Sequence, residues 1–404
     1  MSQDCLYTIF QLKGYQHTRT DCGEGCLMLT VQPEEKFLCC PSCHSRDVVR
    51  HGTFPRLLRH LPVGGQLVNV CVQVPRVRCS QCETSRRVEL DLAAPRVQHT
   101  FALERYALEL SSYMTIKHVA EHLALSWDVV KEIQKRYLQN HYAQPKLKHV
   151  KHIAIDEICI GHPRRFLTIV LDLDSGAILF VGKGKNAAVL RPFWRRLQSS
   201  RAKIKAVAMD MSKAYFSAVE NNLPTATIVF DRFHIVKLMN SKLTQLRREL
   251  FHELHDKQQR DVLKGTRWLL LKNPEDLVAA TDEPRRLREA LRLNEPLATA
   301  SYLKEDLRHF WEQPNKAAAR RKIQSWYHQA MASGTRVLMN FARFILAQQA
   351  GILAWYDYPI STGPLEGVNN KIKTMQRQHY GLRDEEFLQL KLYQLHETMY
   401  ALVG

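Results

Sequence analysis

His152-Ile-Ala-Ile-Asp156 and Ile204-Lys-Ala-Val-Ala-Met-Asp210 are two apolar runs that each close on an aspartate. Short runs of this kind read as buried strands of an α/β sheet, which sets Asp156 and Asp210 at or near strand ends. A third acid, Glu366, lies in Ile360-Ser-Thr-Gly-Pro-Leu-Glu-Gly-Val-Asn-Asn-Lys-Ile-Lys373. There Thr362, Gly363 and Pro364 mark a turn, and the residues after them read as a helix start. Hard cations such as magnesium prefer carboxylate oxygens, and two of them roughly 4 Å apart can serve an in-line phosphoryl displacement. Two acids on strands and one on a helix therefore make a candidate metal site whose substrate class is nucleic acid.

Outward from Asp156, the runs Arg165 to Leu173 and Ala177 to Val181 flank the turn Asp174-Ser-Gly176 and predict a hairpin. Ala187 to Gln198 reads as a helix, followed by the Asp210 strand, a short helix from Lys213 to Glu220 and the strand Ala226-Thr-Ile-Val-Phe230. Asp231 also ends an apolar run and is the alternative second acid; strand order favours Asp210. Glu157 is expected on the opposite face from Asp156, and so not to be a ligand. From about Asn240 to Gly351 the pattern is helical, with Trp268, Trp311, Trp326 and Trp355 read as core anchors.

Four stretches carry a resemblance: Ile155-Asp-Glu-Ile158, Val207-Ala-Met-Asp-Met-Ser-Lys-Ala-Tyr215, Ile228-Val-Phe-Asp-Arg-Phe-His-Ile-Val-Lys237, and Gly363-Pro-Leu-Glu-Gly-Val-Asn-Asn-Lys-Ile-Lys373 followed by Arg377 and Tyr380-Gly381. In this order the chain resembles the ISL-three family of bacterial insertion-sequence transposases, within the DDE (RNase H-like) superfamily. The resemblance implies Asp156, Asp210 and Glu366 as a catalytic triad holding Mg2+ or Mn2+. It makes Asp231-Arg-Phe-His234 an auxiliary motif, with His234 near the scissile phosphate. The chain departs from the family pattern in carrying Ser361-Thr-Gly363 where an asparagine is expected before the glycine. Ser212, Tyr215 and Tyr380 lack the arginine and histidine surroundings of a serine or tyrosine recombinase.

In the N-terminal third, Cys40-Pro-Ser-Cys43 and Cys79-Ser-Gln-Cys82 are two knuckles around the alternating run Gln66 to Val74. Four thiolates close a tetrahedral structural Zn2+ site. Cys39 offers an alternative register to Cys40, and Cys22 and Cys26 stay unassigned. Downstream, Ile116, Val119, Ala120 and Leu123 share one helical face, and Val129, Val130 and Ile133 share the next. With a turn at Leu125 and Ser126 as N-cap, this reads as a helix-turn-helix whose second helix enters the major groove. Lys131, Lys135 and Arg136 are its DNA-contact candidates, and Trp127 is expected to pack at the turn. Asn369, Asn370, Lys371, Lys373 and Arg377 after Glu366 are placed to meet DNA backbone.

The 404 residues carry a formal net charge of +18, which favours a polyanion partner. No run of about 18 apolar residues lacks charge, and the start has no basic segment before an apolar core, so a cytoplasmic, nucleoid-associated protein with no membrane partner is expected. The expected architecture is multidomain α+β: an N-terminal segment (1–36), a zinc ribbon (37–92), a helix-turn-helix (95–142), and an RNase H-like α/β catalytic core (148–240 and 352–404) interrupted by an all-helical insertion (241–351). The expected partner is double-stranded DNA, as terminal inverted repeats and target, bound by a homodimer or higher oligomer. Two rival readings remain: a domesticated DNA-binding regulator without catalysis, and a nuclease without strand transfer.

Overall fold

The computed structural model describes residues 3–161, 165–253, 257–378 and 384–397. Tyr380 and Gly381 lie outside the described residues. The chain divides into two compact units, Met1–His141 and Tyr142–Gly404.

In the first unit a helix α1 (Gln3–Phe10) precedes the hairpin β1 (Tyr15–Gly23) and β2 (Cys26–Pro33), and the long strands β3 (Val48–Val63) and β4 (Gln66–Cys79) follow, with β5 (Ser85–Arg87) pairing to β4. The sheet order is β1-β2-β4-β3, with β2 parallel to β4. β1 and β2, which precede residue 37, thus share one sheet with β3 and β4. The alternation of β2 in Leu29 and Val31 packs on Val68, Val70 and Val72 of β4. The β3–β4 turn is Gly64-Gly65, both at positive φ, as a two-residue hairpin requires. Three helices complete the unit: α2 (Phe101–Leu110), α3 (Ile116–Leu123) and α4 (Trp127–Tyr142). Thr100 and Thr115 cap α2 and α3, and the Ser126 hydroxyl accepts the Val129 N–H at 3.3 Å. Ala124 turns the chain in the left-handed conformation.

The second unit holds β6 (His152–Cys159), β7 (Phe166–Asp172) and β8 (Ile178–Lys183), then α5 (Arg191–Ser200), β9 (Ala206–Met209), α6 (Lys213–Asn222), β10 (Thr227–Phe230) and α7 (Arg232–Glu253). Sheet order is β10-β9-β6-β7-β8; β6, β9 and β10 are parallel, and β7 and β8 are antiparallel additions. Helices α8 (Lys257–Gly265), α9 (Glu283–Arg292), α10 (Glu295–Arg308), α11 (Lys316–Ala332), α12 (Arg336–Ala347) and α13 (Gln349–Leu353) follow without a strand among the described residues. Trp326 is fully buried, its indole N–H donating to the Leu303 carbonyl at 2.8 Å and its ring edge-on to Phe310, against which the buried Trp311 also lies. Trp268 instead stands 65% exposed, with the Arg267 guanidinium 4.7 Å over its ring, so it is not a core anchor. Chain then returns to the sheet: a Cβ on Gly351 would sit 2.3 Å from the Phe230 ring, so only glycine lets α13 lie against β10. The last helices are α14 (Gly363–Gln378) and α15 (Glu385–Gln394).

Both sheet faces are covered. Ile153, Ile155, Val207 and Met209 pack toward α5, α6 and α7, while Ala154, Ile158 and Ala208 pack against Leu365, Ile372 and Met375 of α14. No single helix among the described residues is long and apolar enough to cross a membrane.

Candidate active site and DNA-binding elements

Strand register brings three acids into one row. Ile155 pairs with Met209 across β6 and β9, and Met209 pairs with Phe230 across β9 and β10. The next residues are Asp156, Asp210 and Asp231, side by side along three parallel strands. Side chains alternate along a strand, so Asp156 shares the face of Ala154 and Asp210 that of Ala208, which is the face α14 covers. Asp210 and Asp231 directly follow their strands, but Asp156 lies within β6, which runs on to Cys159. Pairing with β7 continues to Cys159 and Phe166, and that partner rather than the apolar run sets the strand's end. Glu157 faces the other side, as expected, toward the hydroxyl of Tyr215.

Each acid is braced by a backbone N–H: Asp156 accepts from Glu157 at 2.7 Å, Asp210 from Ser212 at 3.0 Å and Asp231 from Phe233 at 3.1 Å. Desolvation by burial raises the Asp156 pKa above the carboxylate range, against the Glu157 N–H and the His234 charge; the charges of Asp210 and Asp231 raise it further. Asp231 is 4% exposed, yet the nearby His234 and the hydrogen bonds from Thr362 and Phe233 outweigh desolvation and hold its pKa low. His234, in the first turn of α7, has its Nδ1 3.6 Å from Asp231 Oδ2, and that partner, with Asp156 and Asp210 adding, raises its pKa. The Asp-x-x-His motif therefore belongs to the acid row.

Glu366 is exposed in the first turn of α14. The start of that helix is fastened to the row: the buried Thr362 hydroxyl donates to Asp231 Oδ2, and the Glu366 N–H donates to the Thr362 carbonyl at 3.2 Å. Thr362 is the residue at the position where the resemblance led to an expected asparagine. Glu366, Asn370, Lys373 and Arg377 are all exposed at i, i+4, i+7 and i+11, a single stripe along α14; Lys371 is half-buried off that stripe. The acids are gathered but not closed around a common point. Among the described residues, the one group of three or more His, Cys, Asp or Glu ligand atoms within 4.8 Å of one another is Cys40, Cys43, Cys79 and Cys82. An all-oxygen donor set such as the acid row suits magnesium or manganese.

The four thiols bring together the two knuckles as read from sequence, with Cys40 rather than Cys39. Cys40 and Cys82 Sγ are 3.5 Å apart, as are Cys43 and Cys79. A tetrahedral zinc with bonds of about 2.3 Å would set sulfurs about 3.8 Å apart, so the cage fits that ion with a small expansion. The N–H groups of Cys43 and Ser42 hold the Cys40 thiol down to about 5. The Ser45 N–H acts likewise on Cys43, but sharing with Cys79 and burial outweigh it and push that thiol up to about 12. Four thiols competing for negative charge are relieved by a divalent cation. Cys26 accepts the Asn69 side-chain N–H at 3.3 Å, and Cys22 is exposed; neither joins the cage.

In the helix-turn-helix, Val130 and Ile133 are buried and Lys131 and Lys135 are half-buried. Trp127 is 48% exposed with the Lys131 ammonium 5.4 Å over its ring, so it does not pack into the turn. Arg136 is drawn to Glu104 of α2, which also holds His99 at 3.0 Å. Sequence spacing put Arg136 on the helix surface but gave no sign of this long-range carboxylate.

A cysteine cage followed by a capped helix-turn-helix defines a DNA-binding class of protein. Residues 37–82 match the zinc-finger of transposase IS204/IS1001/IS1096/IS1165, residues 88–138 the helix-turn-helix domain of transposase family ISL3, and residues 153–392 the transposase domain of that family. The chain belongs to the ISL3 family of transposases. It is 32% identical to the transposase for insertion sequence element IS1001 of Bordetella parapertussis over 369 residues, 91% of this chain and 90% of that protein. It is 26% identical to the transposase for insertion sequence element IS1557 of Mycobacterium tuberculosis over 395 residues, 91% of this chain and 88% of that one.

Proposed function

We propose that the chain mobilises a bacterial insertion sequence, with Asp156, Asp210 and Glu366 as its metal-holding triad. The observation that carries this is the acid row across three parallel strands, Asp156 within β6 and Asp210 and Asp231 just after theirs, faced by a helix whose first turn bears Glu366 and whose start is bonded to that row. The sheet order, with three antiparallel strands extended by two parallel ones, supports an RNase H-like core interrupted by a helical insertion at 241–351. Magnesium or manganese, when bound, supplies activation of the attacking oxygen and charge neutralisation at the leaving one.

The chain's own part is positional. Asp156 and Asp210 offer oxygens from one rigid sheet face, and their mutual repulsion in a desolvated row makes a cation welcome. Asp231 serves as the fastener: its second oxygen is taken by Thr362, its first by the Phe233 N–H, and His234 lies beside it. His234, whose pKa that neighbour raises, stands beside the row where its imidazolium form would meet a phosphate. From Glu366 the stripe of Asn370, Lys373 and Arg377 leads a DNA backbone along α14, with Lys371 at its flank. The zinc ribbon (37–92), held by zinc on its four cysteines, and the helix-turn-helix (95–142) recognise the terminal inverted repeats through Lys131 and Lys135, with Arg136 reserved for bracing α4. Holding two ends together calls for a homodimer or higher oligomer.

The test is cleavage and joining of the element's terminal DNA with magnesium or manganese, comparing wild type with Asp210→Asn and Asp231→Asn. Asp210→Asn is expected to abolish cutting while end binding persists; Asp231→Asn is expected to weaken cutting partially. Cleavage that survives Asp210→Asn would overturn the choice of second acid, binding without wild-type cleavage would point to a regulator, and cutting without joining to a nuclease.

A further inference from the structure

The end of the ribbon sheet next to the cysteine cage carries arginines without a carboxylate partner among the described residues. In β4, Val77 and Cys79 are buried while Arg76 and Arg78 are exposed. Arg76 stands directly opposite Arg87 of β5, and Arg78 opposite Ser85 on one side and Val49 of β3 on the other. Opposed residues of antiparallel strands share a face, so Arg76, Arg78 and Arg87 lie on one side of the sheet together with Val49, which is 65% exposed. Like charges directly across a ladder destabilise it. None of the three arginines has a carboxylate partner among the described residues: Arg76 Nε donates to the Ser85 hydroxyl at 3.1 Å, and the Arg87 guanidinium lies 4.2 Å over the 38% exposed ring of Phe54. Two of the guanidinium groups are thus oriented by neutral partners that leave their charge uncompensated.

We propose that this arginine face is a DNA-backbone contact surface, separate from the helix-turn-helix, which takes the phosphates of duplex DNA. The inference rests on the reading of the chain as a DNA transposase. Guanidinium groups match phosphate oxygens in pairs of hydrogen bonds, and neutral partners reduce the ordering needed on binding. Arg76 and Arg78, two residues apart on one strand, are about 7 Å from each other along β4, so the face meets a phosphate run rather than a single anion. A structural ribbon alone would gain by replacing one of an opposed arginine pair with an acid. The sequence instead keeps both positive.

The experiment measures binding of the full-length protein to its terminal DNA against salt concentration. The triple variant Arg76→Gln, Arg78→Gln, Arg87→Gln is compared with wild type, with the charge-keeping Arg→Lys triple, and with Lys131→Gln, Lys135→Gln. Each phosphate contact adds close to one to the slope of log affinity against log salt, so the glutamine triple is expected to lower that slope by about two to three. The lysine triple is expected to keep most of it, and zinc content is expected to be unchanged in both. Radical footprinting is expected to lose a block of backbone protection in the glutamine triple that the Lys131, Lys135 variant retains. An unchanged slope and footprint, with wild type still binding and cutting its ends, would overturn the arginine surface alone. Absence of wild-type end binding would overturn the transposase reading and this surface with it. Loss of slope equally in the lysine triple would mean the arginines act through folding, and would also overturn the proposal.

Discussion

Replacing Asp156 with asparagine is expected to make the metal-free protein more stable while removing its activity. Asp156 and Asp210 sit at neighbouring positions of adjacent parallel strands on the same face, where side chains are roughly 5 Å apart. Two unit charges at that distance repel by roughly 3 kcal/mol at an effective dielectric of about 20. His234 offsets one such interaction, and the desolvation that raises the Asp156 pKa remains. A neutral amide of the same shape escapes both costs, so a net gain of about 1 kcal/mol is expected, the usual scale for relieving a functional site. For a unit of this size that is a rise of about 2 to 4 °C in melting temperature. The assay is thermal unfolding of the full chain in magnesium-free buffer without chelator, so that the cysteine cage keeps its zinc. Because the raised pKa favours the protonated folded form, wild-type stability from this group is present at low pH and declines as pH rises through the folded value; the asparagine variant should lack that decline. Magnesium should then stabilise wild type more than the variant. An Asp156→Asn protein that melts below wild type without magnesium would refute the reasoning.

Thr362→Val leaves the buried Asp231 carboxylate short of a donor and is expected to cost about 1.5 to 3 kcal/mol in urea unfolding, with Thr362→Ser restoring most of it. Since Asp231 is held low, its contribution is present above the ordinary carboxylate range and lost as pH falls through its folded value, so the valine variant should be less sensitive to acid. Cys40→Ser should lose bound zinc by elemental analysis and Cys39→Ser should retain it, since only Cys40 joins the cage. Lys391, 6% exposed on α15, has its pKa pushed down to about 8 by burial from 10.5. Its charge costs stability in full below about 8 and the cost fades as pH rises toward the unfolded value, so Lys391→Met should raise stability by about 3 kcal/mol at pH 7 and by little at pH 10.

Much of the second unit was legible because its strands are short apolar runs, two of which stop just before an acid. The order of three strands, helix, strand, helix and strand appears in the structure as read, and so do both capped helices around Ala124. Register was not legible: nothing local to Asp231 says that it lies beside Asp210, because that depends on which strands pair. The same holds for Thr362, whose partner is 131 residues away in sequence, and for Arg136, captured by Glu104. Asp156 was read as a strand end because the apolar run stops there, whereas pairing with β7 carries the strand through polar residues. The strands of residues 15–33 were passed over since β1 is largely polar and few of their positions, Tyr15, Leu29, Val31 and Pro33, are buried. Trp268 shows the opposite error, a large apolar side chain that the fold leaves outside.

The central claim is that Asp156, Asp210 and Glu366 share metal ions although they come from two strands and a distant helix. The most direct measurement is manganese binding to the full-length protein on its terminal DNA, followed by electron paramagnetic resonance for wild type, Asp156→Asn, Asp210→Asn and Glu366→Gln. The account predicts weaker manganese binding in all three variants with DNA affinity retained. Undiminished binding in Glu366→Gln, with only the two aspartate variants affected, would contradict it.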